Sequence, residues 1–360
     1  MKKIAALPRQ DSAVGFYRIV QPTMFANRLE LTKKKSYITR FTGTGQMVRL
    51  GQGEDYKEKA WGDEVLMKMA QGSDVIWSNM ILTEEEILKM LDLREWSGAK
   101  WIVDIDDNMY SVSSDNPGKN SSILLKDRIE LCLSLADGVT TTVPSLKKLY
   151  KDLNPNIHVM PNFVDPKWFK PGKKKKNETI RIGWRGAYGH RSDITLARPA
   201  LEALAKNYDI QLVTYGVKPP FDSEHHEWSP LFGNDTQKTK DFPDKLKALN
   251  LDIAIVPLVD SDYNRCKSNL AIQEFSALKI PIVASPVLNQ DNHPILYAKD
   301  NHSWYNQLEK LIKDEKLRKS QAKRQLEHMK NIYDGEKIVK QVIKWMDKLP
   351  RKDLKPDLKP

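Results

Sequence analysis

The segment from residue 251 to residue 285 constrains the fold of this chain more than any other part of the sequence. Its letters, LDIAIVPLVDSDYNRCKSNLAIQEFSALKIPIVAS, place apolar runs at Ile253–Pro257 and Ile280–Ala284 around a polar loop and a helical pattern. Short apolar runs that alternate with helical patterns are typical of a buried parallel sheet with crossover helices. The same alternation recurs along the chain, so we predict an α/β protein of two doubly wound, Rossmann-like domains facing a cleft.

A charged segment divides the two predicted domains. The letters KPGKKKKN at residues 170–177 include no apolar residue to bury, and they contain a proline and a glycine. We interpret this segment as a basic linker, with a nuclear localisation signal as the alternative. The predicted parts are a first domain at 1–169, a second domain at 178–330, a helix at 331–349 that packs on a domain face, and a disordered tail at 350–360.

Composition and charge narrow the function classes. The formal net charge is +11, and residues 306–360 hold 16 Lys or Arg against 9 Asp or Glu. This excess favours an anionic partner, which is a lipid surface, a nucleic acid or a phosphate-bearing polymer; a solvated helical face is the alternative. The two cysteines form no metal-ligand pattern, and no apolar run is long enough for a signal peptide or a membrane span. We therefore expect a cytoplasmic protein, with peripheral contact to the inner membrane surface as an option.

One candidate ligand site follows a strand in the second half of the chain. The letters IRIGWRGAYGHRSDI at residues 180–194 read as a strand, a glycine-bearing turn and a helix. Gly183, Gly186 and Gly189 would let the backbone approach a ligand, and Arg185 and His190 would supply positive charge. A phosphate bound there would contact turn amides and a guanidinium together. A tight turn with exposed arginines is the alternative.

A second candidate lies in the loop and helix after Ile253–Pro257. Lys267, Ser268 and Asn269 are predicted to start a helix, which would bring an ammonium, a hydroxyl and backbone amides to one point. Glu274 lies seven residues beyond Lys267, two helical turns along the same face. A lysine suits a diphosphate and a carboxylate suits ribose hydroxyls, so the pattern predicts a nucleotide-sugar site.

Polar residues also follow the strands of the first half. Asp106 and Asp107 come after an apolar strand and are predicted to contact a sugar hydroxyl or the acceptor, with a capping role as the alternative. Gly15 and Arg18 begin the helix after the first strand and are predicted to approach the diphosphate or the acceptor. At both places, the ends of parallel strands are where such sheets bind ligands.

Four motifs occur in order: DIDD at 104–107, MPNFVD at 160–165, IGWRG at 182–186, and KS, EF and IPIVAS between residues 267 and 285. The ordered set resembles the retaining group 1, family 4-like glycosyltransferases of the GT-B fold, from phage or bacteria. The resemblance covers most of the chain. It implies that Glu274 is the second glutamate of the E-x7-E motif and holds the donor ribose. The first glutamate's position is Cys266 here, so a carboxylate expected near the donor sugar is absent.

The resemblance implies a function as well as a fold. We expect a hexosyl- or related transferase that moves a sugar from a nucleotide-sugar to an acceptor hydroxyl, with retention and with no metal or other cofactor. Arg185 and Lys267 would neutralise the leaving nucleoside diphosphate, with Asp107 as a third catalytic residue. In an inverting enzyme, Asp11 or Asp107 would be the general base.

The acceptor and the chemistry stay open. An anionic acceptor would be a lipid-linked glycan, a polymer glycan, or DNA that carries hydroxymethylated bases. The alternatives to a transferase are a non-catalytic nucleotide-sugar-binding module of the same fold and a sugar-nucleotide epimerase.

Overall fold

A computed structural model describes residues 3–8, 13–34, 36–40, 47–50, 60–61, 63–112, 119, 125–221, 226–230, 242–288 and 291–354. The chain divides into two compact units. Unit 1 comprises Met1–Asn108, Ser121–Asn162 and Gly335–Pro360, and unit 2 comprises Met109–Asn120 and Phe163–Asp334. In the described part of the chain, no helix is both long enough and apolar enough to cross a membrane.

Unit 1 is built on an eight-stranded sheet in the order β4-β3-β2-β1-β5-β6-β7-β8. All its pairs are parallel except β2–β3 and β3–β4. The strands are β1 (Ile4–Leu7), β2 (Tyr37–Arg40), β3 (Met47–Leu50), β4 (Ala60–Trp61), β5 (Val75–Asn79), β6 (Lys100–Ile105), β7 (Gly138–Thr141) and β8 (Ile157–Val159).

Helices connect the parallel strands of unit 1. Helix α1 has two α-helical parts, Ala13–Gly15 and Gln21–Arg28, joined by the π-helical turn Phe16–Val20. The others are α2 (Asp63–Ala70), α3 (Glu84–Ser97), α4 (Lys126–Leu135) and α5 (Pro144–Tyr150). Helix α3 shows the local signals most clearly: Thr83 accepts a hydrogen bond from the Glu86 amide, and Gly98 ends the helix in the left-handed region at φ 68°.

Unit 2 has a six-stranded sheet in the order β11-β10-β9-β12-β13-β14, and every pair in it is parallel. Its strands are β9 (Ile180–Gly186), β10 (Ile210–Gly216), β11 (His226–Pro230), β12 (Ile253–Val256), β13 (Ile282–Ala284) and β14 (Leu296–Tyr297). Its helices are α6 (Arg198–Ala205), α7 (Phe242–Ala248), α8 (Leu270–Ala277), α9 (Asn301–Lys313) and α10 (Glu315–Ile332).

The predicted α/β class is confirmed by these two largely parallel sheets. Strands β3 and β4 were not predicted, because Arg49 interrupts the apolar run of β3 and β4 has only two residues. The Lys- and Glu-rich pattern of residues 303–330 predicts one helix, whereas the structure has two, α9 and α10. They meet at Asp314, whose carboxylate accepts a hydrogen bond from the Leu317 amide and so starts a new helix.

Helix α11 (Gly335–Lys348) belongs to unit 1 and ends against β6 and β7. The Lys100 ammonium donates hydrogen bonds to the carbonyls of Met346 at 2.6 Å, Asp347 at 3.1 Å and Leu349 at 3.0 Å. A cation at this end satisfies carbonyls that have no partner within the helix. The His158 ring stacks on Trp345 with ring centres 5.1 Å apart. These contacts fix the last turn of α11 on the sheet of unit 1.

The chain continues along unit 1 beyond α11. The Lys352 amide donates a hydrogen bond to Asp137 Oδ1 at 2.6 Å, and its carbonyl accepts one from Arg94 Nη2 at 2.5 Å. Arg94 and Asp137 form a buried ion pair with a 2.7 Å contact. Of the tail predicted to be disordered, residues 350–354 are described and 355–360 lie outside the described residues.

Gly138 of β7 leaves room for the end of α11. A Cβ at this position would lie 2.7 Å from Leu349 Cδ2 and 2.9 Å from Trp345 Cη2. We expect Gly138→Ala to lower the free energy of unfolding by about 1–3 kcal/mol, because the added methyl group overpacks this contact. Thermal unfolding of the full chain measures the change.

The matched control for Gly138→Ala is Leu349→Ala, alone and combined with it. Truncating Leu349 makes space for the new methyl group, so the double variant is expected to cost less than the sum of the two single variants. A midpoint unchanged by Gly138→Ala, or strict additivity, would contradict this packing account.

Candidate functional site

An ion pair joins the end of β9 to helix α8. Arg185 Nη2 lies 2.5 Å from Glu274 Oε2, and the exposed fractions of the two side chains are 25% and 2%. Strand β12 pairs with β9, and α8 follows β12 along the chain, so their parallel pairing brings these two segments to one edge of the sheet. The sequence predicted both residues at a site but gave them separate roles. Their direct contact was not predicted.

Lys267 lies in the segment before α8 rather than in the helix. Its backbone is extended, at φ −76° and ψ 143°, and α8 begins at Leu270. The predicted placement of Lys267 and Glu274 on one helical face is therefore wrong, because only Glu274 is helical. The Lys267 ammonium lies 4.4 Å from the centre of the Tyr263 ring, a cation–π contact. Ser268 is half-buried beside it.

His190 also lies near the Tyr263 ring. Its ring centre is 6.3 Å from that of Tyr263. His190 Nδ1 lies 2.8 Å from Asp193 Oδ2. Tyr263 thus places the imidazole of the turn after β9 and the ammonium before α8 around one aromatic ring.

Asp193 is a site residue that sequence reasoning missed. Its second carboxylate oxygen, Oδ1, accepts hydrogen bonds from the Val259 amide at 2.9 Å and from Asn264 Nδ2 at 3.1 Å. Asp193 therefore ties the loop after β12 to the turn after β9. The sequence contained one signal for this role. Asp193 follows His190 by three residues, a spacing at which two side chains in a helical turn are neighbours.

Asn269 precedes α8, and its side chain is engaged in a buried polar cluster. Its Nδ2 donates to Asp291 Oδ2 at 2.8 Å, and its Oδ1 accepts from Gln273 Nε2 at 2.9 Å. The Tyr333 hydroxyl and His293 Nε2 contact the same amide nitrogen. Asn269 makes no side-chain capping hydrogen bond to the first turn of α8. The first amides of α8 keep the arrangement that favours an anion at a helix N-terminus.

The buried cluster shifts the ionisation of two of its members. Burial and, to a smaller degree, the nearby His328 lower the pKa of His293 to about 4, against an opposing effect of Asp291. Burial, followed by a hydrogen bond to Asp291, raises the pKa of Tyr333. Both groups are therefore neutral at pH 7, and the cluster holds the start of α8 without a buried charge of its own.

The glycines of β9 serve packing in this structure. A Cβ on Gly183 would lie 2.1 Å from Leu251 Cδ1, and one on Gly186 would lie 2.2 Å from Trp184 Cζ2. Both glycines make room for apolar side chains of unit 2. The sequence analysis had instead explained them by the close approach of a ligand to the backbone. Ligand contact by the Gly186 backbone stays a prediction.

In unit 1, Arg18 is held inside the domain. Its guanidinium contacts Asp104 at 2.8 Å, and both side chains are at most 1% exposed. It also donates to the Met160 carbonyl at 2.5 Å and to Asn162 Oδ1 at 3.0 Å. These contacts join α1, β6 and the segment after β8, a structural role that the sequence did not predict.

The remaining predicted residues lie at strand ends. Asp106 and Asp107 follow β6 and are half-buried, and Gly15 is buried in α1. The Asp107 carbonyl accepts a hydrogen bond from the Tyr150 hydroxyl at 3.0 Å. Cys266, at the position of the first E-x7-E glutamate, is buried. Asp11 lies outside the described residues.

No family model and no curated protein sequence matches this chain. Solved structures do. A glycosyltransferase from Rickettsia africae ESF-5 superimposes with a TM-score of 0.56 at 12% identity, over 97% of this chain and 99% of that one. TarM superimposes with a TM-score of 0.54 at 14% identity, over 84% of this chain and 64% of TarM, so this chain spans less than two thirds of TarM. The trehalose-6-phosphate synthase OtsA superimposes with a TM-score of 0.54 at 12% identity, over 80% of this chain and 77% of OtsA.

At these identities the similarity concerns the fold. The three proteins are glycosyltransferases, and the two parallel-sheet units of this chain match their architecture. The chain therefore has the two-domain, Rossmann-like GT-B fold.

The lowered pKa of the buried His293 predicts how the stability of the protein depends on pH. An unfolded histidine titrates near 6.5, so between pH 6.5 and 4 the unfolded chain binds a proton that native His293 does not. Stability should therefore fall as the pH drops through this window, by about 2 kcal/mol at pH 5 from His293 alone. The loss of thermal midpoint between pH 7 and pH 5 should be smaller in His293→Gln than in the wild type.

His302→Gln is the matched control, because His302 is exposed at the start of α9. This variant should keep the wild-type dependence on pH. The same dependence in His293→Gln as in the wild type would contradict the assignment of a neutral buried imidazole.

Proposed function

We propose that this protein is a glycosyltransferase that moves a sugar from a nucleotide-sugar donor to an acceptor hydroxyl. The observation that carries the proposal is the grouping of Arg185, Lys267 and Glu274 around the carboxyl ends of β9 and β12. This is the edge of a parallel sheet at which such folds bind nucleotides. The GT-B fold of the chain supports the same function.

The electrostatics of the site suit a leaving diphosphate. Negative charge accumulates on a nucleoside diphosphate as the glycosidic bond to the sugar breaks, and fixed cations stabilise that charge. We expect Lys267 and the first amides of α8 to contact the phosphates, since both lie where α8 begins. Arg185 would contribute a guanidinium from the end of β9, where it is partly exposed.

Glu274 would bind the donor ribose. A carboxylate is an acceptor for two hydroxyl groups, and the Arg185 guanidinium keeps it oriented at the base of the site. Because Glu274 is 2% exposed, a ribose would reach it next to Arg185 or after that side chain moves. We propose transfer with retention and without a metal, on the resemblance of the motifs to group 1 enzymes, and Asp107 as a residue on the acceptor side.

UDP is the first nucleotide to test. A variant of S. aureus TarM has been solved with fondaparinux, α-GlcNAc-glycerol and UDP. A UDP-hexose is therefore our proposed donor. The positive net charge supports an anionic acceptor, either a lipid-linked or polymeric glycan or modified DNA.

A second candidate function is a non-catalytic nucleotide-sugar-binding module. It is favoured by Cys266, which takes the place of a glutamate that the resembling enzymes use near the donor sugar. Such a module would bind the donor and release no nucleotide.

Nucleotide binding is expected to depend on Lys267 and Glu274. UDP, GDP, ADP, CDP and dTDP sugars are screened for a thermal shift, where a ligand at a hundred times its Kd adds about 2.7 kcal/mol of stability. Lys267→Ala and Glu274→Gln should remove the shift. The controls are Lys299→Ala and Glu202→Gln, which change exposed residues of the same unit. A shift that survives in both site variants would contradict the site.

Turnover separates the two candidate functions. Release of UDP from the donor that gives the shift, with or without acceptor, indicates a transferase, and Lys267→Ala should lower its rate roughly a hundredfold. If the protein binds the donor but releases no nucleotide with any acceptor, the transferase proposal is contradicted and the non-catalytic binding module is supported.

A further inference from the structure

A basic groove lies in unit 2, away from the candidate donor site. It has a volume of about 1000 Å³ and is lined by eight Lys or Arg and three Asp or Glu residues. Its walls are the segment Lys174–Asn177, the starts of β9, β12 and β13, and one face of α10. We call it the basic groove. Its excess of five positive charges is concentrated in one concavity.

The groove lies at the opposite edge of the sheet from Arg185 and Lys267. Ile180 is the first residue of β9, Asp252 directly precedes β12, and Pro281 directly precedes β13. These are the amino ends of parallel strands, whereas the candidate donor site is built on their carboxyl ends. A ligand in the basic groove is therefore separate from a nucleotide-sugar in that site.

Most of the cations in the groove have no carboxylate partner among the described residues. Lys174 pairs with Asp252 at 2.6 Å and Lys319 with Glu315 at 2.7 Å. These two pairs use two of the three acidic groups. The cations outside any ion pair in the described part of the chain include Lys175, Lys176, Lys279, Lys323 and Lys330, all of them exposed.

The cations are arranged along a line. On α10 the groove-facing residues run from Glu315 to Lys330 at intervals of three and four, which is one face of the helix over about 22 Å. The segment Lys174–Asn177 runs beside it and is held by Asn250, whose Nδ2 donates to the Lys175 carbonyl at 3.1 Å. Ammonium groups on two walls of a groove, one of them extended along a helix, suit a linear polyanion.

The side chains between the cations narrow the class of polyanion. None of the described residues that line the groove is aromatic, so it offers no platform for stacking bases. Its apolar lining residues are small or partly buried, such as Ala322 and Leu326, and give no exposed anchor for a bilayer. A concave surface also suits a chain better than it suits a plane.

We propose that the basic groove binds a linear, phosphate-bearing polymer without stacking bases, such as a chain of phosphodiester-linked polyols. Each phosphate would contact one or two ammonium groups, and released counterions would make binding weaken steeply with salt. Binding at this groove does not require glycosyl transfer at the other edge of the sheet.

The test uses the full chain and fluorescent long-chain inorganic polyphosphate as the probe. The groove variant is Lys323→Glu with Lys330→Glu. The matched control is Lys316→Glu with Arg324→Glu, which makes the same charge change on exposed residues of the same helix outside the groove. The groove variant should raise the Kd roughly tenfold at 0.1 M salt, and the control should change it less than about twofold.

Several results would overturn the proposal. Equal losses in the two double variants would mean attraction by diffuse charge, and no binding by the wild type at low salt would mean no such site. Tighter binding of oligo-dT than of polyphosphate, lost in the groove variant, would replace the proposal with a single-stranded nucleic acid. Binding to phosphatidylglycerol vesicles without binding to polyphosphate would replace it with a membrane surface.

A second variant guards against misfolding. Lys175→Glu with Lys176→Glu changes the opposite wall of the groove in an exposed segment. It should weaken polyphosphate binding to a similar degree while leaving any nucleotide-sugar thermal shift unchanged. Wild-type affinity in this variant would contradict the two-walled groove.

Discussion

Backbone pairing of β9 with both β10 and β12 is the constraint on which the rest of unit 2 depends. The register runs from Ile180 opposite Ile210 to Gly186 opposite Gly216 on one side, and sets Gly183 opposite Ala254 on the other. The chain then winds outward in both directions from β9. Its carboxyl end is therefore at the point where the strand order reverses, and Ala187 and Tyr188, the residues just beyond it, are exposed.

The Arg185–Glu274 ion pair shows how that constraint becomes a site. A carboxylate that is 2% exposed is costly to bury alone, and the guanidinium at the end of β9 offsets that cost. The pair also links the strand to α8, while Asp193 links the turn after β9 to the loop after β12. Before α8, Asn269 belongs to a polar cluster with His293, Tyr333 and Asp291. Three polar contacts of different kinds thus hold Lys267 and the first turn of α8 in place.

The sequence predicted the fold class well, because buried parallel strands leave short apolar runs that alternate with helical patterns. The same runs put Arg185 at the end of a strand and Lys267 and Glu274 in the segment between two strands, which is where the structure has them. The sequence did not predict that Arg185 and Glu274 touch, because their contact joins residues 89 positions apart. Lys267 was placed in a helix although Asn269 is a residue type that often precedes a helix. Asn269 does precede α8, but its side chain is engaged in the polar cluster instead of capping the helix. The glycines of β9 were assigned to ligand approach because only the packing shows that Leu251 and Trp184 lie against them.

The basic groove was not predicted from the sequence. It joins segments about 150 residues apart, and a local count of charges does not show that such segments lie together.

The central claim is that the carboxyl edge of the unit 2 sheet binds a nucleoside diphosphate. A crystal structure of the full chain with UDP tests this most directly. The account predicts the diphosphate within hydrogen-bonding distance of Lys267 and the first amides of α8, with the ribose hydroxyls near Glu274. UDP bound at the amino edge of the sheet, or in unit 1 alone, would contradict it.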